Sequence, residues 1–70
     1  MTPQEECPLT EREIDIVKRI AQGDTAKEVA QQIGWTHYSV NERIKTVRRI
    51  VGAKNAPHLA TIALRKGWIE

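Results

Sequence analysis

The sequence predicts an all-α domain, a bundle of four helices. Three observations predict it. Four capping residues (Thr10, Thr25, Thr36 and Asn55) stand at helix-starting positions, and four glycines each fall just beyond an apolar-periodic segment. No useful length of chain alternates apolar and polar residues with a period of two, so strands are not expected.

Each element follows from its own local signals. Thr10-Glu-Arg-Glu13 has capping-box spacing, a hydroxyl with an acid three residues on, and starts a helix over about 11–22. Ile14, Val17 and Ala21 form its expected buried stripe, with Ile16 and Ile20 off that stripe, and Gly23 ends it. Thr25-Ala-Lys-Glu28 is a second capping box, followed by Val29, Ala30 and Ile33 and then Gly34, giving a helix over 26–33. Thr36 caps a third helix over 37–51, whose Val40, Ile44, Val47 and Val51 share one face before Gly52. Asn55 caps a fourth over 56–66, with Pro57 tolerated in the first turn because its missing N–H has no partner there.

Composition bounds what such a fold can do. Seventy residues make one small domain, with 40% apolar and 29% charged residues. Cys7 is the single cysteine, so no disulfide forms within the chain, and with only His37 and His58 beside it a structural zinc site and other metal sites are not expected. Neither histidine has a partner at triad spacing, and the chain is too short for both a core and a cleft. It is therefore expected not to be an enzyme and to need no cofactor. No apolar run approaches the roughly 20 residues of a spanning helix, and the acidic start is unlike a signal peptide. A cytoplasmic protein with no membrane contact is the expectation.

Charge is divided along the chain. Residues 1–15 sum to −4 and the remainder to +6, within a net charge of +2. Residues 43–54 hold Arg43, Lys45, Arg48, Arg49 and Lys54 with no acid. Cations concentrated on one element are the footprint of a polyanion binder. The third helix, which carries most of them, follows the second after a turn of only Gly34, Trp35 and Thr36. That spacing, with Ala30 small enough for close approach and Val40 packing the later helix back, matches a helix-turn-helix.

On a helical wheel the buried stripe of the third helix spans about 60°, and the opposite side carries Tyr38, Asn41, Lys45 and Arg49, flanked by Arg48 and Glu42. Asn41 has the geometry to pair with adenine and Lys45 to donate to guanine O6 and N7. Tyr38, Arg48 and Arg49 suit phosphate oxygens. Glu42 either accepts from a cytosine amino group or pairs with a neighbouring cation. The fourth helix is apolar over about 200° of its wheel, wider than a surface helix buries in its own core. Leu59, Ala60, Thr61 and Leu64 are the expected interface for a homodimer.

The segments LTERE at 9–13, Ala21-Gln-Gly23, TAKEVA at 25–30, Thr36 with Ser39-Val40, and GWI at 67–69 closely resemble the LuxR-type (GerE- or NarL-type) DNA-binding domain. The resemblance covers residues 9–69, with residues 1–8 as a tail before a domain of 9–70. It implies a bundle whose third helix reads the major groove of double-stranded DNA and whose fourth mediates dimerisation. It places base contacts at Asn41 and Lys45 and backbone contacts around Thr25, Lys27, Thr36, Tyr38, Arg43 and Arg49. Arg43 stands where many members have histidine, and Asn41 where a cation is common, so the operator does not carry over. With only about eight residues before the homology, a bacterial or phage stand-alone member without a small-molecule sensor, or an excised domain, is expected. The leading reading is a dimeric transcription regulator. Its alternative is a small interaction protein that pairs with a full-length LuxR-type regulator, the acidic first 15 residues contacting a basic partner. A fragment resembling region 4 of a sigma factor shares the helix-turn-helix, but the closing GWI segment argues against it.

Overall fold

The computed structural model describes residues 7–70; the first six residues, with Glu5 and Glu6 of the acidic segment, lie outside the described residues. Four α-helices follow one another: α1 (Glu11–Ala21), α2 (Ala26–Ile33), α3 (His37–Val51) and α4 (Ala56–Arg65). Among the described residues there is no strand, as the sequence predicts. Expected and observed bounds coincide for α2 and α3. Gln22 and Lys66, expected as last helical residues, are instead the C-caps of α1 and α4, still right-handed but leading into the turns at Gly23 and Gly67.

The four starts are built as their sequences indicate. Thr10 and Thr25 each form a reciprocal capping box with Glu13 and Glu28. The Thr36 hydroxyl oxygen accepts from the Ser39 N–H at 3.0 Å, and the Asn55 side chain accepts from the His58 N–H at 2.8 Å. The four ends share one device, in which the residue after each glycine donates its N–H to a carbonyl five residues back. These bonds run from Asp24 to Arg19, Trp35 to Ala30, Ala53 to Arg48 and Trp68 to Ala63, at 2.9–3.1 Å. Each satisfies carbonyls that the end of a helix leaves orphaned.

The core draws on every helix: Ile16 and Val17 of α1, Val29 and Ala30 of α2, Val40, Ile44 and Val47 of α3, and Leu59 and Ala63 of α4. Leu9, Trp68 and Ile69 close its ends, so Trp68 is a core plug. One expectation needs correcting. Ile16 is buried and Ile20 partly so, whereas Ala21 is exposed and Ile14 only half-buried. The inward face of α1 runs through Glu13, Ile16, Val17 and Ile20, rotated about 80° from the expected stripe. The cause is tertiary, because α1 touches α2, α3 and α4 and therefore buries a broad face that includes a carboxylate.

The helix-turn-helix depends on one backbone conformation. Gly34 closes α2 at φ 77°, ψ 25°, the left-handed region that L-residues with a Cβ avoid. A Cβ built there would meet nothing within 4 Å, so the demand is conformational and not steric. Gly34→Ala is expected to destabilise the fold by about 1–2 kcal/mol in urea denaturation, and Gly34→Asn by less. An unchanged midpoint for Gly34→Ala would contradict this account of the turn.

Candidate nucleic-acid interface

The interface is assembled on α3. Thr36 fixes its first turn through two bonds to Ser39, accepting from the N–H and donating its own hydroxyl to Oγ at 2.9 Å. Val40, Ile44 and Val47 anchor its inner face. Tyr38, at 73% exposure, and Asn41, Lys45 and Arg49 then stand outward along one side. The structure therefore brings together four of the expected contact residues on one exposed stripe. An open groove flanks it, lined by Trp35, Thr36, Tyr38, Ser39, Glu42 and Thr46 among others.

Two further cations of the basic run, Arg43 and Arg48, make contacts within the fold. The Arg43 guanidinium turns inward, NH1 donating to Glu13 Oε2 at 3.0 Å while lying 5.6 Å from the centre of the Trp35 ring. Glu13 is buried, its side chain 8% exposed, and its other oxygen accepts from the Thr10 N–H at 2.9 Å. Arg43 thus ties the middle of α3 to the start of α1 through NH1, while its side chain keeps 41% exposure. Arg48 reaches the α3–α4 loop, where its NH2 donates to the Lys54 carbonyl oxygen at 2.6 Å. The Lys54 N–H in turn donates to His58 Nδ1 at 3.0 Å. His58 is thereby part of the cap of α4, while His37 is simply exposed.

The other expected residues sort as follows. The Thr25 hydroxyl oxygen accepts from the Glu28 N–H at 3.1 Å as a cap, and Lys27 is exposed beside it. Glu42 pairs with a cation, its Oε2 lying 3.3 Å from Lys45 Nζ. On α4, Leu64 is 55% exposed, with Thr61 exposed and Ala60 half-buried. Leu59 is corrected: at 0% exposure it belongs wholly to the chain's own core and has no surface to offer a second chain. Among the described residues, no three His, Cys, Asp or Glu side chains gather where they could hold a metal ion.

Sequence reasoning missed the joint role of Glu13, Trp35 and Arg43. A signal existed, because Arg43 lies only about 70° from the buried stripe of α3, on its shoulder and not opposite it. Arg12 also lies 5.6 Å from the Trp35 ring centre, so the turn tryptophan is a half-buried platform for two guanidinium groups.

Comparison with known proteins identifies the family. Residues 7–63 match the family described as bacterial regulatory proteins, luxR family. The chain belongs to that family. Within it, the chain is 35% identical over 66 residues to the uncharacterized transcriptional regulatory protein YvfU of Bacillus subtilis (strain 168), covering 94% of this chain and 33% of that one. It is 34% identical over 62 residues to the transcriptional regulatory protein YdfI of the same organism, covering 89% and 29%. To the transcriptional regulatory protein DesR, also of Bacillus subtilis, it is 30% identical over 63 residues, covering 90% and 32%. The chain spans about a third of the length of these relatives. It is thus a helix-turn-helix domain of the LuxR type, the DNA-binding part of a transcription-regulator family. No helix among the described residues is long and apolar enough to cross a membrane.

The two arginines beside each other in role, Arg43 and Arg49, separate under mutation. Arg43→Ala leaves a buried carboxylate without its cation and is expected to cost roughly 1–3 kcal/mol in urea denaturation. Arg49→Ala, at an exposed site, stays within about 0.5 kcal/mol of the parent. Equal stabilities for the two variants would contradict the inward assignment of Arg43.

Proposed function

We propose that this chain is a sequence-specific transcription regulator that binds double-stranded DNA as a homodimer. The supporting observation is the exposed stripe of Tyr38, Asn41, Lys45 and Arg49 on the second helix of a helix-turn-helix. Asn41 and Lys45 read base edges, Asn41 by two bonds to adenine and Lys45 by donation to guanine. Tyr38, Arg49 and Lys27 contact phosphate, joined by the backbone around the Thr25 and Thr36 caps. Arg43 and Arg48 act behind them, holding α3 to α1 and to the loop before α4. Acting on bacterial DNA, the protein works in the cytoplasm.

Two copies associate through α4, where Leu64, Ala60 and Thr61 form the self-complementary patch. An exposed leucine flanked by small residues suits the close, symmetric approach of two helices. The dimer sets its reading helices about 34 Å apart, on half-sites one turn of DNA from each other. The same α4 face favours a second reading. The longer relatives match between 89% and 94% of this chain, and one of them offers a comparable helix for heteromeric pairing.

Binding to duplex selected by the protein tests the proposal. Two chains are expected per site of paired half-sites, and two phosphate-facing cations per chain (Lys27 and Arg49) give a log–log salt slope of roughly −1.8 per chain. Arg49→Ala should weaken all sequences alike and reduce that slope by about 1. Binding that ignores salt, or one chain per duplex at every concentration, would contradict it.

A further inference from the structure

Glu42 is the one acidic residue of α3, and it stands among the cations of the outward stripe. A carboxylate there repels the phosphates of any duplex that α3 approaches. Its partner is Lys45, with Oε2 and Nζ 3.3 Å apart, the lysine side chain 63% exposed and the glutamate side chain 46%. An exposed pair of this kind adds little to stability, so folding does not account for it.

What the pair presents is a donor and an acceptor side by side, at about the spacing of a hydrogen bond. One base pair presents the complement. In the major groove, guanine O6 is an acceptor and the cytosine N4 amino group a donor, held about 2.9 Å apart by the pairing itself. We propose that Glu42 and Lys45 act as one unit that reads a single G·C base pair. Lys45 donates to guanine O6 and N7, and Glu42 accepts from cytosine N4. This inference rests on the assignment of α3 as the reading helix and names part of what that helix reads.

The order of donor and acceptor ranks the four alternatives. With thymine in the place of guanine, T·A offers O4 and the adenine N6 amino group in the same order, but the thymine methyl replaces the second acceptor, N7. A·T and C·G set an amino group against the ammonium and a carbonyl against the carboxylate. G·C therefore ranks first and T·A second, with A·T and C·G last. Glu42 sharpens recognition by making wrong pairs unfavourable as well as by favouring the right one.

Selection of bound duplexes from a random pool tests this, using the parent chain, Glu42→Ala, Lys45→Ala and the double variant, each confirmed helical by circular dichroism. The parent is expected to select a site with G·C at one position and T·A as its best-tolerated replacement. Each single variant should lower discrimination at that same position by about ten-fold, and the double variant by less than the product of the two. If Glu42→Ala binds every sequence more tightly with an unchanged preference, Glu42 only repels phosphate and the proposal falls. It falls equally if the two single variants alter different positions. A parent chain that selects no site at all would instead overturn the assignment of α3 as a reading helix.

Discussion

The arrangement of this domain turns on one buried carboxylate. Glu13 sits at the third position of α1 with both oxygens occupied, one by the Thr10 N–H and the other by the Arg43 guanidinium. A carboxylate shielded from water is tolerated only when it is paired and hydrogen-bonded. Here the two partners belong to different parts of the fold, the start of α1 and the middle of α3. The residue that caps the first helix therefore also sets where the third helix lies against it. Trp35, from the turn between α2 and α3, rests beside the same guanidinium and draws the turn into the contact.

This constraint divides labour among the basic residues. On charge alone, residues 43–54 read as a uniform cationic surface. In the folded chain Arg43 holds α1 and Arg48 holds the loop carbonyl of Lys54, so two of the five cations maintain geometry. Lys45 and Arg49, four residues apart, remain outward with Tyr38 and Asn41. Spending cations on position is consistent with the need of a reading helix for a fixed angle, since base edges are recognised only at hydrogen-bonding distance. The domain has no disulfide to help, so caps, glycine turns and the Trp68–Ile69 plug supply its definition.

What was legible in the sequence was what local chemistry determines. The caps at Thr10, Thr25, Thr36 and Asn55, the glycine turn at Gly34 and the inner face of α3 depend on neighbours within a few residues, and each stands as expected. The rotation of α1 was hidden because Glu13 counts as polar in any apolar pattern, although its burial decides which face turns inward. Leu59 was misplaced for a related reason. A wheel shows that α4 is apolar too far round, but only packing against α1 and α3 shows that Leu59 lies inside and Leu64 outside. The inward turn of Arg43 depends on a partner 30 residues away, beyond the reach of any local pattern.

The central claim is that α3 meets DNA through its outward stripe while the Glu13–Arg43 contact stays closed behind it. Nuclear magnetic resonance of the isotopically labelled chain titrated with a selected duplex tests this most directly. Large shifts are expected at the Asn41 side-chain amide, the Lys45 ammonium and the backbone of 38–49, with the Arg43 guanidinium signal little changed. Shifts confined to α1 or α4, or an Arg43 signal that moves with the duplex while Asn41 and Lys45 stay still, would contradict it.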